Sequence, residues 1–231
     1  LPAIIEEVRT VELTASAAKI YREVEAESYA KLAESEVTTT NILTRIMRLS
    51  QITGGYLTDD NGTVNAVSRA KLDALSDIID AAIAEDRKLV IIAHFIPEIH
   101  AIQELLENKK IGYAIIHGGI KNRGYQINRF HRDKNCHVFV GQIAAAGLGI
   151  TLTAASMMVF FSMDYSMSNF EQAKARIHRG GQKEICHYIY LVCKGTIDGK
   201  VLYALRKKMN LAKMLVDDYR NGVNPLKDSR F

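Results

Sequence analysis

Two arginines three residues apart, Arg176 and Arg179, stand inside Gln172-Ala173-Lys174-Ala175-Arg176-Ile177-His178-Arg179-Gly180-Gly181-Gln182. On a helix that spacing places both on one face, where two guanidiniums converge on one anion. Each offers a planar fork of donors suited to a phosphate whose charge spreads over its oxygens during transfer. A pair of solvated surface arginines has the same spacing, so the pattern alone leaves both readings open. A second stretch, from Gly141-Gln142 through residues 143–155, is rich in Gly, Ala and Thr. Small residues leave backbone amides accessible to phosphate oxygens, although a Gly/Ala-rich helix packed closely on a sheet has the same composition. Gly147-Leu148-Gly149 lacks the third glycine of a dinucleotide fingerprint.

Other groups of interest follow apolar runs. His94 comes after residues 89–93, and His117-Gly118-Gly119 after residues 113–116. No carboxylate or third histidine stands at ligand spacing from either, so no metal site is expected. The sequence has no GxxxxGK[ST]; Lys194-Gly195-Thr196 has related letters in another order and no leading glycine. No Asp-Glu pair follows an apolar strand to hold Mg²⁺. The phosphate-transfer machinery is therefore incomplete in this sequence, and Leu1-Pro2-Ala3, without a Met or a signal-peptide pattern, reads as a piece of something longer.

The elements that position these groups follow from hydrophobic patterning. Apolar, β-branched runs occur at 89–93, 113–116, 138–141, 157–161 and 188–192, separated by amphipathic stretches at 71–84, 97–108, 124–132 and 169–176, with a final long helix near 197–216. Alternation of this kind predicts an α/β fold, a parallel sheet with helices on both faces and ligands at the carboxyl ends of its strands. Ahead of it, a short strand over 8–13 and two helices, capped at Thr14 and running to about residue 36 and then over 40–52, form a mainly helical segment. The polar stretch from Gly54-Gly55 to Asn65 marks a boundary near residue 60.

The 231 residues, 48% hydrophobic with 15 Gly and 3 Pro, exclude a disordered or collagen-like chain. No apolar run approaches the ~18 residues of a membrane span. Cys136, Cys186 and Cys193 contain no CxxC pair, so a reducing compartment is expected. Residues 1–110 carry 12 Lys and Arg against 18 Asp and Glu, whereas residues 111–231 carry 18 against 8. The second half is the one able to meet a polyanion.

Here the chain resembles a known family, the second RecA-like lobe of Swi/Snf-type DNA-dependent ATPases within superfamily-two helicases. The likeness is collinear over nearly the whole length. Leu1 to Leu13 resembles the segment leaving the first lobe, Arg48-Leu49-Ser50-Gln51-Ile52 the family's Arg-Leu-Arg-Gln-Ile stretch, and Ser68 to Leu72 its Ser-Gly-Lys-Leu entry to the second lobe. Residues 88–95 resemble motif IV, His117-Gly118-Gly119 with Arg123 and Phe130 the following block, Gly141 to Ala155 motif V, and Gln172 to Gln182 motif VI.

The resemblance implies a connecting segment over 1–60 and a helicase C-terminal lobe over 61–231. It assigns Arg176 and Arg179 as arginine fingers to ATP and Mg²⁺ held mainly by a first lobe of the same polypeptide. Gly147, Gly149, Gln172 and Gln182 become cofactor-side positions, and His94, His117, Arg123 and Gln142 candidate contacts to double-stranded DNA. The expected activity is ATP-driven duplex translocation, with this stretch inactive as an ATPase by itself. A cytoplasmic bacterial or phage protein is expected because long chromatin-type insertions are missing. Departures occur at Ala144, Ala146, Ser162, Tyr165-Ser166-Met167, Ala175 and Gly180, where the family usually has other residues. They keep a second reading open, a lobe that binds DNA or a partner without supporting turnover. An unrelated doubly wound nucleotide or sugar-phosphate enzyme explains the alternation but not motif VI.

Overall fold

Leu89-Val90-Ile91-Ile92-Ala93 contains no polar side chain, and all five residues are buried in the middle of the main sheet. The computed structural model describes residues 1–34, 37–59, 61–142 and 149–227. In order, the elements are β1 (Ile4–Val11), α1 (Ala15–Ala33), α2 (Thr39–Thr53), β2 (Tyr56–Thr58), β3 (Val64–Ala66), α3 (Ala70–Ala84), β4 (Leu89–Ala93), α4 (Ile96–Asn108), β5 (Gly112–Ile116), α5 (Arg123–Arg132), β6 (Cys136–Gln142), β7 (Met157–Phe160), α6 (Met167–Lys174), β8 (Cys186–Cys193), α7 (Ile197–Arg206) and α8 (Leu211–Arg220). The chain divides into two compact units, each assembled from two separate stretches. One is Leu1–Arg9 with Leu72–Leu191, the other Thr10–Lys71 with Val192–Phe231.

The first unit holds the parallel sheet, in the order β1-β8-β7-β4-β6-β5. Register runs from Leu89↔Val138 to Ala93↔Gln142 between β4 and β6, and from Leu89↔Met157 to Ile92↔Phe160 between β4 and β7. Strand ends therefore coincide, and the residues after them share one edge of the sheet. Strands buried on both faces need a cover on each. Leu75 and Ile79 of α3 with Ile99 and Ile102 of α4 pack on Ile91 and Val140. The opposite face carries Phe139 against Phe130 of α5, at 5.5 Å between ring centroids, and Phe160 against Phe170 of α6 at 5.1 Å. The RecA-like parallel sheet with helices on both faces is thus present.

Lys88, just before β4, reaches the end of α5. Its ammonium donates to the carbonyls of Phe130, Asp133 and Cys136 at 2.5, 2.9 and 2.8 Å. Burial pulls its pKa below the usual lysine value. Gly112 opens β5 where a Cβ would stand 2.1 Å from the Asn135 carbonyl oxygen. Only glycine fits that approach.

The second unit is helical with a small hairpin. The Thr14 hydroxyl caps α1 by accepting from the Ala17 amide at 3.3 Å. Gly55, at φ +100°, leads into β2, which pairs antiparallel with β3 from Tyr56↔Ala66 to Thr58↔Val64. At its heart is Asp198, whose carboxylate takes the Thr53 hydroxyl at 2.8 Å, the Cys193 amide at 3.0 Å and the Lys71 ammonium at 2.6 Å. Burial pushes the Cys193 thiol up to about 12, so it stays protonated at neutral pH.

Four expectations need correction. The first strand is longer and starts earlier than 8–13, because an edge strand tolerates the exposed Ile4, Ile5 and Glu6 that blur its pattern. The polar stretch after Gly55 holds a hairpin of three-residue strands, too short to register as a period. The expected helix over 197–216 is two helices, since Lys208 adopts φ +55° and the Asn210 side chain caps α8 by accepting from the Lys213 amide. Last, α6 stops at Lys174, so Arg176 and Arg179 do not lie on a helix. Among the described residues no helix is long and apolar enough to cross a membrane.

Candidate functional site

At the carboxyl ends of β4, β5 and β6 one side chain ties two loops together. The Gln142 amide nitrogen donates to the His94 carbonyl at 3.3 Å, and its oxygen accepts from the Gly118 amide at 3.3 Å. The His117 Nδ1 accepts from the Gly119 amide at 3.2 Å, a bond within its own exposed loop. Arg123, opening α5, donates through Nε to the Ile120 carbonyl at 3.2 Å. The structure therefore brings His94, His117 and Gln142 together, with Arg123 at the entry of the next helix.

Below that cluster lies a carboxylate that sequence reasoning missed. Glu98 is 1% exposed. It accepts from the amides of His94 and Phe95 at 3.2 and 3.1 Å and from the Ser162 hydroxyl. Ser162 also accepts from the His94 amide at 2.8 Å. A Glu three residues after Phe95, with Pro97 in the first turn, is a recognisable helix-start signal. Nothing local, however, points from Glu98 to Ser162.

The His94 ring packs against Phe95 and Tyr165, and its buried Nδ1 has no hydrogen-bond partner among the described residues. Burial lowers its pKa, with the Asp164 carboxylate pulling the other way. His117 is lowered too, by burial and by His100. A histidine held below its unfolded value binds fewer protons folded than unfolded between the two. Its stabilising contribution is complete above roughly pH 6.5 and is lost as the pH falls from there. The expected result is that wild-type protein loses more stability between pH 7.5 and 5.5 than His94→Gln, read as urea midpoints. Parallel losses in both would remove His94 from the account.

The arginines occupy a turn between α6 and the glycines. The Arg176 amide donates to the Ala173 carbonyl at 3.0 Å and the His178 amide to Lys174 at 3.3 Å, while Gly181 stands at φ +98°. The first bond spans three residues and the second four, a last loose turn that follows α6 without prolonging it. The Leu152 amide donates to the Arg176 carbonyl at 2.9 Å, joining the turn to the loop that follows Gly149. Arg176 is 8% exposed. Its Nη1 donates to the Ile150 carbonyl at 3.4 Å, and its buried Nε has no partner among the described residues. Burial and the neighbouring Arg179 both draw its pKa down. A guanidinium in that state gains most from an anion that supplies the missing acceptors.

The glutamines divide. Gln182 fastens the turn, its amide nitrogen donating to Ala155 and Ile177 carbonyls at 2.8 and 3.2 Å and its oxygen accepting from the Lys183 and Glu184 amides, both at 3.0 Å. Gln172 sits on the exposed side of α6 and donates to Ser168 at 2.9 Å. Gly149 is exposed at φ +69°. Gly147, Ala144 and Ala146 lie outside the described residues. Among the described residues no group of three or more His, Cys, Asp and Glu could hold a metal.

The parallel sheet covered by helices on both faces is a RecA-like fold. Residues 70–181 match the family described as helicase conserved C-terminal domain. Residues 70–181 thus carry the helicase C-terminal domain, and the solved structures of similar fold include Swi2/Snf2 ATPase cores. It is 30% identical over 212 residues to an uncharacterized ATP-dependent helicase of Mycoplasma genitalium, covering 90% of this chain and 20% of that protein. A RAD54-like DNA repair and recombination protein of Drosophila ananassae is 32% identical over 149 residues, 62% of this chain and 19% of its own length. The chain thus spans about a fifth of these relatives. Among solved structures, the Sulfolobus solfataricus SWI2/SNF2 ATPase core in complex with dsDNA superposes with TM-score 0.81 at 21% identity, over 100% of this chain and 51% of that one. The C-terminal part of the Fun30 ATPase domain superposes with TM-score 0.73 at 16% identity, covering 96% and 99%.

Proposed function

We propose that this chain is the second lobe of an ATP-driven translocase on double-stranded DNA. The observation that carries the reading is Arg176, buried, with a donor lacking any partner among the described residues and Arg179 three residues on. ATP is the substrate, and a first lobe of the same polypeptide supplies the Mg²⁺ site and most nucleotide contacts. In this reading residues 1–60 lead into the lobe over 61–231. Arg176 and Arg179 offer their forks to the phosphate charge that develops during transfer. Gln182 and the Leu152–Arg176 bond keep the turn against the loop after Gly149. Closing and reopening of the lobes around each hydrolysis then moves the DNA contacts along the backbone.

Contact to the duplex falls to the carboxyl edge of the sheet, where His94, His117, Gln142 and Arg123 lie. The relative of similar fold solved with dsDNA supports a DNA partner. So does the basic second half of the sequence, since phosphate contacts make binding strongly salt-dependent.

The test is ATP turnover by the complete protein with and without duplex DNA. Duplex-stimulated turnover is expected, and none from residues 1–231 alone. DNA binding without turnover would instead establish a binding lobe on a motor scaffold.

A further inference from the structure

The turn that carries the arginines has little to hold it from within. It has short-range backbone bonds, no helix beyond Lys174, and the glycines Gly180 and Gly181 at its exit. Besides Gln182 and the Leu152–Arg176 bond, it has two further attachments. They run to β1 and to Pro2 just ahead of it.

At the far end, His178 lies between the arginines, and its Nε2 stands 2.8 Å from the Pro2 carbonyl oxygen. A carbonyl oxygen only accepts, so Nε2 carries the hydrogen. At the near end, the Lys174 ammonium pairs with Glu6. It lies over the rings of Phe170 and Tyr188, 5.5 and 5.1 Å from their centroids. The Tyr190 hydroxyl donates to the same Glu6 carboxylate at 3.0 Å, and the Tyr188 hydroxyl to the Lys174 carbonyl at 2.8 Å. Between these points the Cys186 amide donates to the Ala3 carbonyl at 3.0 Å, which seats β1 beside β8.

From this geometry we infer that His178 is a positioning residue. Its bond to the Pro2 carbonyl, with the Lys174–Glu6 pair, makes β1 the strap that aims Arg176 and Arg179. The inference rests on the reading of those arginines as the groups that meet the nucleotide phosphate. It adds that their effectiveness depends on a strand that supplies none of the candidate phosphate or DNA contacts named above. A shift of β1 relative to β8 moves both ends of the turn, so turnover responds to that strand while ligand affinities do not.

The experiment compares His178→Leu, His178→Gln, Glu6→Gln and Arg179→Ala in the complete protein. DNA-stimulated kcat, KM for ATP and duplex affinity are read for each. Leucine removes the donor; glutamine places an N–H at nearly the reach of Nε2. His178→Leu should lower kcat roughly 10- to 100-fold, the scale on which ångström misplacement of a reacting group acts. KM and duplex affinity should stay within about twofold, and His178→Gln should recover most of the loss. Adding His178→Leu to Arg179→Ala should then cost nothing further. If Arg179→Ala is inactive while His178→Leu turns over normally, the strap is overturned and the arginine reading stands. Normal turnover by Arg179→Ala overturns both. Equal loss in the leucine and glutamine variants overturns the strap as well, because donation to Pro2 is then not what matters. Should His178→Leu fail to fold, Glu6→Gln decides: a severalfold fall in kcat at unchanged KM supports the strap, and an unchanged kcat overturns it.

Discussion

Replacing Arg179 with alanine is expected to lower DNA-stimulated ATP turnover of the complete protein by about 10³ or more, the range seen for arginine fingers in other phosphoryl-transfer enzymes. Duplex affinity should change little, because the DNA-facing candidates lie on other loops. Arg176→Ala should be comparably inactive and also less stable, since Arg176 is buried and donates to the Ile150 carbonyl while Arg179 is more exposed. Arg179→Lys should recover little, since an ammonium cannot present two parallel donors to a phosphate. The decisive measurement is kcat at saturating ATP and duplex. Turnover within a few-fold of wild type in the alanine variant would remove both arginines from the chemistry.

Removing the Lys71 ammonium is expected to have the largest effect on stability. Lys71 and Asp198 are buried to 1% and 8% side-chain exposure and stand 2.6 Å apart. Lys71→Met leaves Asp198 charged in the interior, with the Thr53 hydroxyl and the Cys193 amide as its remaining donors among the described residues. Breaking a buried pair from one side costs about 3–5 kcal/mol. The double variant Lys71→Met/Asp198→Asn should recover part of that, because no charge is left stranded. Urea midpoints of the three proteins report the result. A Lys71→Met midpoint equal to wild type would show that water reaches the carboxylate.

The central strand was legible because Leu89 to Ala93 has no polar residue to argue otherwise, and Thr14 because its hydroxyl caps within three residues of itself. Helical spacing continues smoothly through Arg176, so the end of α6 at Lys174 was not legible. The same distinction divides the site. Arg176 and Arg179 stand out by residue type and spacing, whereas their supports do not. Glu98 meets Ser162 across 64 residues, and His178 meets Pro2 across 176. Pairs this far apart leave no period, cap or motif in the sequence to find them by.

The sheet's edge strand also has to wait for its neighbour. The Ala3 carbonyl bonds to the Cys186 amide, about 180 residues later in the chain. A ribosome adding about 5–20 residues per second takes roughly ten to forty seconds to cover that distance. Through that interval β1, with Ile4 and Ile5 exposed even in the finished fold, waits for β8, its neighbour in the sheet among the described residues. Neither compact unit is a continuous stretch, so neither can finish before the other has begun. This lobe is therefore a late folder during synthesis, dependent on whatever shelters its first ten residues until β8 emerges.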